Sequence, residues 1–430
     1  LRIFLHSALY SLLLGAASTA WATNGYSPHG FGTRSKGMAG VGVALPQEVL
    51  SSATNPALMP MVGNRLELGL SLFSPRRSYT ADDNGFPIGP PMGPATILPG
   101  TYDSDKTVFF VPHIGYNRLL DERQSLGLAL SGNGGMNTEY PYAVFAPFNN
   151  PMGTASQPTG VNLGQVFLGI PYGIRLTPEH SIGVMPIVAV QWFESYGLEP
   201  FKPFSNAPDH LTNHGHDFSY GGGVRVGWLG QFNEKWSLGA SYQSQLYMSE
   251  FDDYRGLFAQ NGDFDVPPTW TIGAAFHATP DLTFALDVQQ IYYSKVDAIA
   301  NRSDVPFMPG SVLLGTEQGL GFGWDDMTIV KMGVEWRYRP ELQFRAGYAR
   351  ANQAIPGSQA LFNILAPATL QHHYTLGLTY AFPEWNSDVN IAVMYSPTQQ
   401  VKGQNPNTGP QTGSIQMRQF EIEVNWGWNF

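Results

Sequence analysis

The chain reads as an all-β protein, a transmembrane antiparallel β-barrel of about 14 strands that encloses its own N-terminal segment. Three observations predict this. Segments of alternating apolar and polar residues recur along most of the length, yet none after residue 22 approaches the ~20 apolar residues of a spanning helix. The connections between segments alternate strictly between short and long. Finally, residues 23–60 carry neither a sustained strand pattern nor a helical stripe able to stand alone, so they need an enclosure.

Composition agrees. The 430 residues include no cysteine and 48 glycines, and charged and aromatic residues each make up 13%. That charge is about half of a typical soluble domain's. A net charge of −10 argues against nucleic acid as a partner. Residues 1–22 have the layout of a signal peptide: Arg2, an apolar run over 3–17, and Ala20-Trp21-Ala22 as an A-x-A site. An exported chain with such strands and no spanning helix belongs in the outer membrane of a Gram-negative cell. The expected division is 1–22 signal peptide, 23–62 plug and 63–430 barrel.

Each strand shows one apolar parity. Leu66, Leu68, Leu70 and Leu72 alternate with Glu67, Gly69 and Ser71. Val108, Phe110, Ile114 and Tyr116 form the next apolar face, then Ile182, Val184, Val188, Val190 and Trp192. Val224, Val226 and Trp228 flank Arg225, while Val330, Met332, Val334, Trp336 and Tyr338 oppose Lys331, Glu335 and Arg337. At the end, Phe420, Ile422, Val424, Trp426, Trp428 and Phe430 oppose Glu421, Glu423 and Asn425. In a soluble sandwich the apolar parity would turn inward; in a barrel it faces lipid.

The connections decide for the barrel. Short ones fall at 119–123, 177–180, 233–235, 279–281, 339–341 and 383–386; long ones at 75–105, 141–160, 197–216, 251–267, 298–326, 353–369 and 402–413. Short periplasmic turns with long outer loops are the outer-membrane arrangement. Aromatics such as Trp236, Trp336 and Trp426 sit beside the short turns, and Trp192, Trp270, Tyr292 and Tyr395 nearer the long loops. Two girdles at opposite strand ends fit two membrane interfaces.

Within 23–60, glycines 25, 30, 32, 37, 40 and 42 permit tight folding, a short helix is expected around 47–52, and Asn55-Pro56-Ala57 breaks it. This glycine-rich run, followed by Asn55-Pro56-Ala57 just before the first strand, resembles the hatch of the FadL/TodX family. Members of that family are outer-membrane channels for long-chain fatty acids and other hydrophobic compounds. The resemblance implies a barrel stoppered by this hatch. It also implies a lateral opening at an inward kink of the third strand. In this chain the third segment alternates over 124–130 and is then interrupted by Gly132-Asn133-Gly134-Gly135, and glycines inside a strand mark a bulge or bend.

Three outer loops carry apolar residues: Phe145 and Phe148 in the first, Leu313, Leu314 and Phe322 in the second, Phe362 and Leu365 in the third. They form either a capture groove for a greasy ligand or a lid packed on itself. A fatty-acid carboxylate would need a lumen cation beside an apolar pocket, and parity offers Arg225, Lys331 and Arg345. His210, His214 and His216 with Asp209 and Asp217 read as a solvated loop, and the aspartates at 252, 253, 263 and 265 lack EF-hand spacing. No metal, cofactor or catalytic residue is expected. The partners expected are a hydrophobic small molecule, outer-membrane lipid and lipopolysaccharide, with the chain a monomer. The function expected is passive, hatch-gated uptake of hydrophobic molecules with exit through the kinked third strand. A polar-solute porin and an outer-membrane lipid hydrolase are the alternatives.

Overall fold

The computed structural model describes residues 24–84, 96–305 and 311–430. The expected signal peptide at 1–22 lies outside the described residues. From residue 65 onward the chain forms β1 (Arg65–Ala81), β2 (Gly100–Asp103), β3 (Phe109–Leu119), β4 (Gln124–Tyr140), β5 (Thr159–Gly169), β6 (Tyr172–Arg175), β7 (His180–Tyr196), β8 (Asp217–Gln231) and β9 (Trp236–Gln243). It continues with β10 (Tyr247–Met248), β11 (Thr269–Thr279), β12 (Leu282–Ile291), β13 (Met327–Arg339), β14 (Leu342–Ala351), β15 (His372–Phe382), β16 (Ser387–Gln404) and β17 (Thr412–Asn429). All belong to one antiparallel sheet. Three staves are broken in two: β2 with β3 on β1, β5 with β6 on β4, and β9 with β10 on β8. The wall therefore has 14 staves, and β1 pairs with β17 from Arg65↔Asn429 to Ala81↔Gly413 to close it. Closure leaves no bare sheet edge along that seam, which hydrocarbon would not tolerate.

The side-chain parity sets the outside. Leu68 and Leu70 are 45% and 48% exposed while Glu67, on the opposite parity of β1, is fully buried. The same division holds at the far end, where Phe420, Val424 and Trp426 are exposed and Glu421, Glu423 and Asn425 are buried. The apolar parity thus points away from the centre. Trp192 departs from it: it is buried, because its ring lies over Gly164 of β5, where a Cβ would come within 2.2 Å of it.

Strand ends differ from the sequence reading where hydrogen-bonding partners extend them. Pro75, expected to open a long loop, sits inside β1 opposite Gln419, and β1 runs on to Ala81. The expected helix at 47–52 is a 3-10 turn, Val49–Ala53. Asn55 does not merely end it. Its side chain accepts the Ala57 N–H and caps a second turn, Pro56–Leu58, which leads into the one-turn helix Met59–Val62.

The lipid face generates a prediction. Leu70→Arg, near the middle of β1, should lower the stability of the barrel in bilayers by about 2–4 kcal/mol. Urea-dependent refolding into liposomes checks it; an unchanged midpoint would mean this face does not meet hydrocarbon.

Candidate ligand path and gate

Residues 24–62 form no strand of the wall and pack against lumen side chains contributed from around its circumference. Lys36 bridges Glu421 at 2.6 Å and Glu423 at 2.5 Å on β17. Arg34 meets Asp388 of β16 at 2.9 Å, and Arg65 shares that carboxylate. Asp287 of β12 accepts the N–H groups of Gly42 and Val43, at 2.8 and 3.0 Å. Glu67 of β1 accepts the Val49 N–H at 2.9 Å. Buried charges are stable only when paired or multiply hydrogen-bonded, and here the pairing joins segment to wall.

Asn55-Pro56-Ala57 also approaches the wall closely. The Asn55 amide donates to the carbonyls of Val43 (2.7 Å) and Trp228 (2.9 Å) while its oxygen caps Ala57. Ser181 donates to the Ala57 carbonyl at 2.7 Å. The wall has glycine at both facing positions: a Cβ at Gly227 would lie 1.9 Å from Asn55 Oδ1, and one at Gly183 would lie 2.3 Å from the Pro56 carbonyl carbon. The motif thus clamps the segment to β7 and β8.

The Gly132–Gly135 stretch sits where the wall changes. β3 and β4 pair from Leu119↔Ser125 only as far as Ile114↔Leu130. Above that point β4 pairs with β5 alone, and the register slips between Gly132 and Gly134, so Asn133 is bulged. The alternation of exposure along β4 stops at the same place, and residues 131–138 are all buried. The upper strand has turned inward. Contact with the neighbouring stave resumes only near the top, where Asp105 N–H donates to the Glu139 carbonyl at 2.8 Å. Asn133 begins a chain of lumen amides, donating to Gln165 at 2.9 Å, which donates to Gln191 at 2.9 Å.

The inward strand meets the first residues of the N-terminal segment. Gly135 N–H donates to the Tyr26 carbonyl at 3.2 Å, and a Cβ at Gly134 would lie 2.0 Å from that oxygen. The buried Tyr26 ring packs on Tyr293 (5.6 Å between centroids), Phe264 and Trp324. Those rings belong to one apolar cluster that also contains Met136 of the inward strand and the outer-loop residues Phe145, Phe148, Leu314, Phe322, Phe362 and Leu365. Six of the seven expected groove residues are therefore gathered in one closed core. Leu313 stands apart, half-buried and outside the cluster. Sequence reading missed Phe201, which joins Phe145 at 4.9 Å to Phe362 at 5.6 Å. Its signal was the apolar content of 198–204, Leu-Glu-Pro-Phe-Lys-Pro-Phe.

The three candidate cations separate. Arg345 is engaged by Glu335 at 2.6 Å and by Thr379. Lys331 donates to the His29 carbonyl at 3.0 Å. Arg225 is buried, hydrogen-bonds Gln243 and lies 5.6 Å from the Phe31 ring centroid, with no ion pair among the described residues. Arg225 and Lys331 line one small cavity of about 30 Å³ together with Pro28, Gly30 and Phe31. Among the described residues no His, Asp or Glu group has the geometry of a metal site.

Two buried groups of the segment carry pH dependence. Burial lowers the His29 imidazole well below its usual range, aided by Lys36. Burial, and then the neighbouring Glu67, push the Glu48 carboxyl up to about 8. Glu48 accepts the N–H groups of Arg34 and Ser35, at 2.8 and 3.1 Å. A carboxyl raised in the seated state favours seating fully below its ordinary value near 4.5, and that contribution is lost as pH rises through about 8. Hydrogen exchange at Arg34 and Ser35 should therefore speed up from pH 5 to pH 9 more in the native protein than in Glu48→Gln, after correction for intrinsic rates. Equal pH profiles would refute the assignment.

Comparison with known proteins follows the same architecture. A family model described as outer membrane protein transport protein (OMPP1/FadL/TodX) matches residues 13–425. The Pseudomonas putida toluene transporter TodX superposes with a TM-score of 0.67 at 18% identity, covering 94% of this chain and 99% of that one. The Ralstonia pickettii toluene transporter TbuX gives 0.61 at 16% identity over 94% and 99%. A Pseudomonas aeruginosa FadL homologue gives 0.69 at 13% identity over 94% and 100%. A search of curated protein sequences found no match.

Proposed function

Because the chain belongs to the OMPP1/FadL/TodX family of outer membrane transport proteins, we propose that it passes long-chain fatty acids or related lipids and hydrocarbons inward by a passive, hatch-gated route that leaves through the wall. Membership makes it an outer-membrane channel for hydrophobic compounds rather than an enzyme. The finer course has three stages. A ligand first enters the apolar packing beneath the outer loops, around Phe145, Phe148, Phe362 and Leu365. It then settles above the hatch, residues 23–62, beside Phe31 and Arg225. Displacement of the hatch's first residues, 24–31, finally frees the way to the inward-turned strand at Gly132–Gly135.

The observation that carries this reading is the single apolar cluster running from the outer loops through Tyr26 to Met136, next to the part of the β3–β4 seam above Ile114↔Leu130 that has no ladder. A greasy molecule moving along it exchanges apolar contacts for apolar contacts. Two of the structural neighbours are toluene transporters; a hydrocarbon needs no cation, whereas a fatty acid needs one free of other acids. Arg225 has that character and favours the carboxylate.

Removal of 23–60, or valine at both Gly132 and Gly134, should change oleate uptake by cells while the barrel still assembles, because a side chain at 134 lands on the Tyr26 carbonyl. Unaltered uptake in both variants removes the gate. Arg225→Gln should weaken oleate binding about tenfold or more and leave a long alkane unaffected. An equal loss for both ligands would assign Arg225 to the fold alone.

A further inference from the structure

At the outer end of the β1–β17 seam, Arg76 and Arg418 are direct cross-strand partners, and both are exposed. Like charges placed opposite each other repel. The usual remedy, an interposed acid, is missing: neither makes an ion pair among the described residues, and the stretches 1–23, 85–95 and 306–310 contain no Asp or Glu. Nor does the far side of Arg418 supply a partner. The β16–β17 register slips between Ser396 and Gln399, so Arg418 faces the bulge at Pro397-Thr398. On the other flank the stave is broken between β2 and β3, beside Arg77. Arg77 itself has the lumen parity: it is 5% exposed, lies over the buried Phe109 ring and donates to the Lys106 carbonyl, so it adds positive charge from behind the exposed pair.

The bulge and the break frame a polar cavity of about 400 Å³ lined by all three arginines with Ser78 and Thr398. Asp103 is the one acid in the lining, and Lys106 nearby is held by Glu139 at 3.0 Å. The cavity therefore keeps a surplus of positive charge.

Its height selects the occupant. Leu66 to Arg76 is ten residues, about 33 Å of strand at ~3.3 Å each. With a tilt of ~40° this spans about 25 Å along the membrane normal, the height of the apolar band of such barrels. One step below the arginines, Tyr395 and Phe420 form an exposed cross-strand aromatic pair, and Phe110 is exposed on β3. Rings beneath and guanidinium groups above are the two surfaces an acylated, phosphorylated headgroup meets in order. Guanidinium forks match phosphate oxygens in pairs.

We propose that Arg76 and Arg418 form a binding site for a phosphate group on the headgroup of an outer-leaflet lipopolysaccharide, whose acyl chains lie along the aromatic face below. The phosphate relieves the Arg76–Arg418 repulsion.

The test uses the full-length protein in nanodiscs, with native mass spectrometry reading bound lipid. Bisphosphorylated lipid A, the same lipid with its phosphates removed, and inorganic phosphate are the three probes. Native protein should retain bisphosphorylated lipid A, and Arg76→Gln/Arg418→Gln should bind it about a hundredfold more weakly, roughly tenfold per lost charged hydrogen bond. Arg76→Lys/Arg418→Lys, which keeps the charge, should recover part of that binding. Unboiled gel mobility reports that each variant still forms the closed barrel, and since both side chains are exposed the single Arg418→Gln provides a second folded variant. Equal binding of the dephosphorylated lipid, or no loss in the glutamine variants, would overturn the proposal. Binding of inorganic phosphate without preference for lipid A would replace it with a free-anion site.

Discussion

A backbone in hydrocarbon has no water to satisfy its N–H and C=O groups, so each must find a partner within the protein. Thirteen of the fourteen seams between staves of this wall meet that demand by ordinary pairing over most of their length. The seam between β3 and β4 does not: its ladder ends at Ile114↔Leu130. The run of β4 left without a ladder on its β3 side is tolerable because the strand leaves the lipid and enters the lumen, where residues 131–138 are buried among protein. Once inside, the freed Gly135 N–H finds the Tyr26 carbonyl. The break in the wall and the start of the N-terminal segment thus satisfy each other at this hydrogen bond.

Contact of this kind explains where side chains are omitted. Glycine occupies wall positions 134, 183, 227 and 239, and in each case a Cβ would fall within about 2.3 Å of the N-terminal segment's backbone or of Asn55. Flexibility is not what these positions need. Inside a 14-stave barrel, space for a segment of some forty residues has to be made by removing wall side chains on the lumen parity, and the remaining lumen residues are the charges and amides that hold the segment's backbone.

The strands, their facing and the short turns were legible in the sequence because alternation with period two is a local property. Gly132-Asn133-Gly134-Gly135 was legible as a kink for the same reason. Partnerships were not. Arg225, Lys331 and Arg345 share one parity, and only pairing register reveals that Glu335 sits across from Arg345 while Arg225 faces Gln243. Arg76 and Arg418 lie more than three hundred residues apart, so their opposition appears only when β1 closes on β17. The loop core was half legible: apolar residues at 145, 148, 362 and 365 stood out, whereas Phe201 was hidden between a glutamate, a lysine and two prolines.

The forces on the N-terminal segment are unequal along its length, and this bears on how the proposed gate could work. Residues 33–57 are tied by Lys36, Arg34, Asp287, Glu67 and Asn55, and stripping a charge from such a partner in a dry interior costs several kcal/mol for each ion left unpaired. Residues 24–31 are held differently: Tyr293 donates to the Asn24 carbonyl at 2.5 Å, Gly135 to Tyr26 and Lys331 to His29, Ser27 meets the Tyr293 hydroxyl at 3.4 Å and His29 the Glu421 carboxylate at 3.5 Å, and aromatic rings pack around them. The hydrogen bonds to Asn24 and Tyr26 are neutral, each worth only about 1 kcal/mol net, and an apolar ligand can replace the ring contacts almost without loss. On the proposed reading, expulsion of the whole hatch is therefore the expensive route. Release of its first eight described residues is the cheap one, and those are the residues that touch the inward-turned strand.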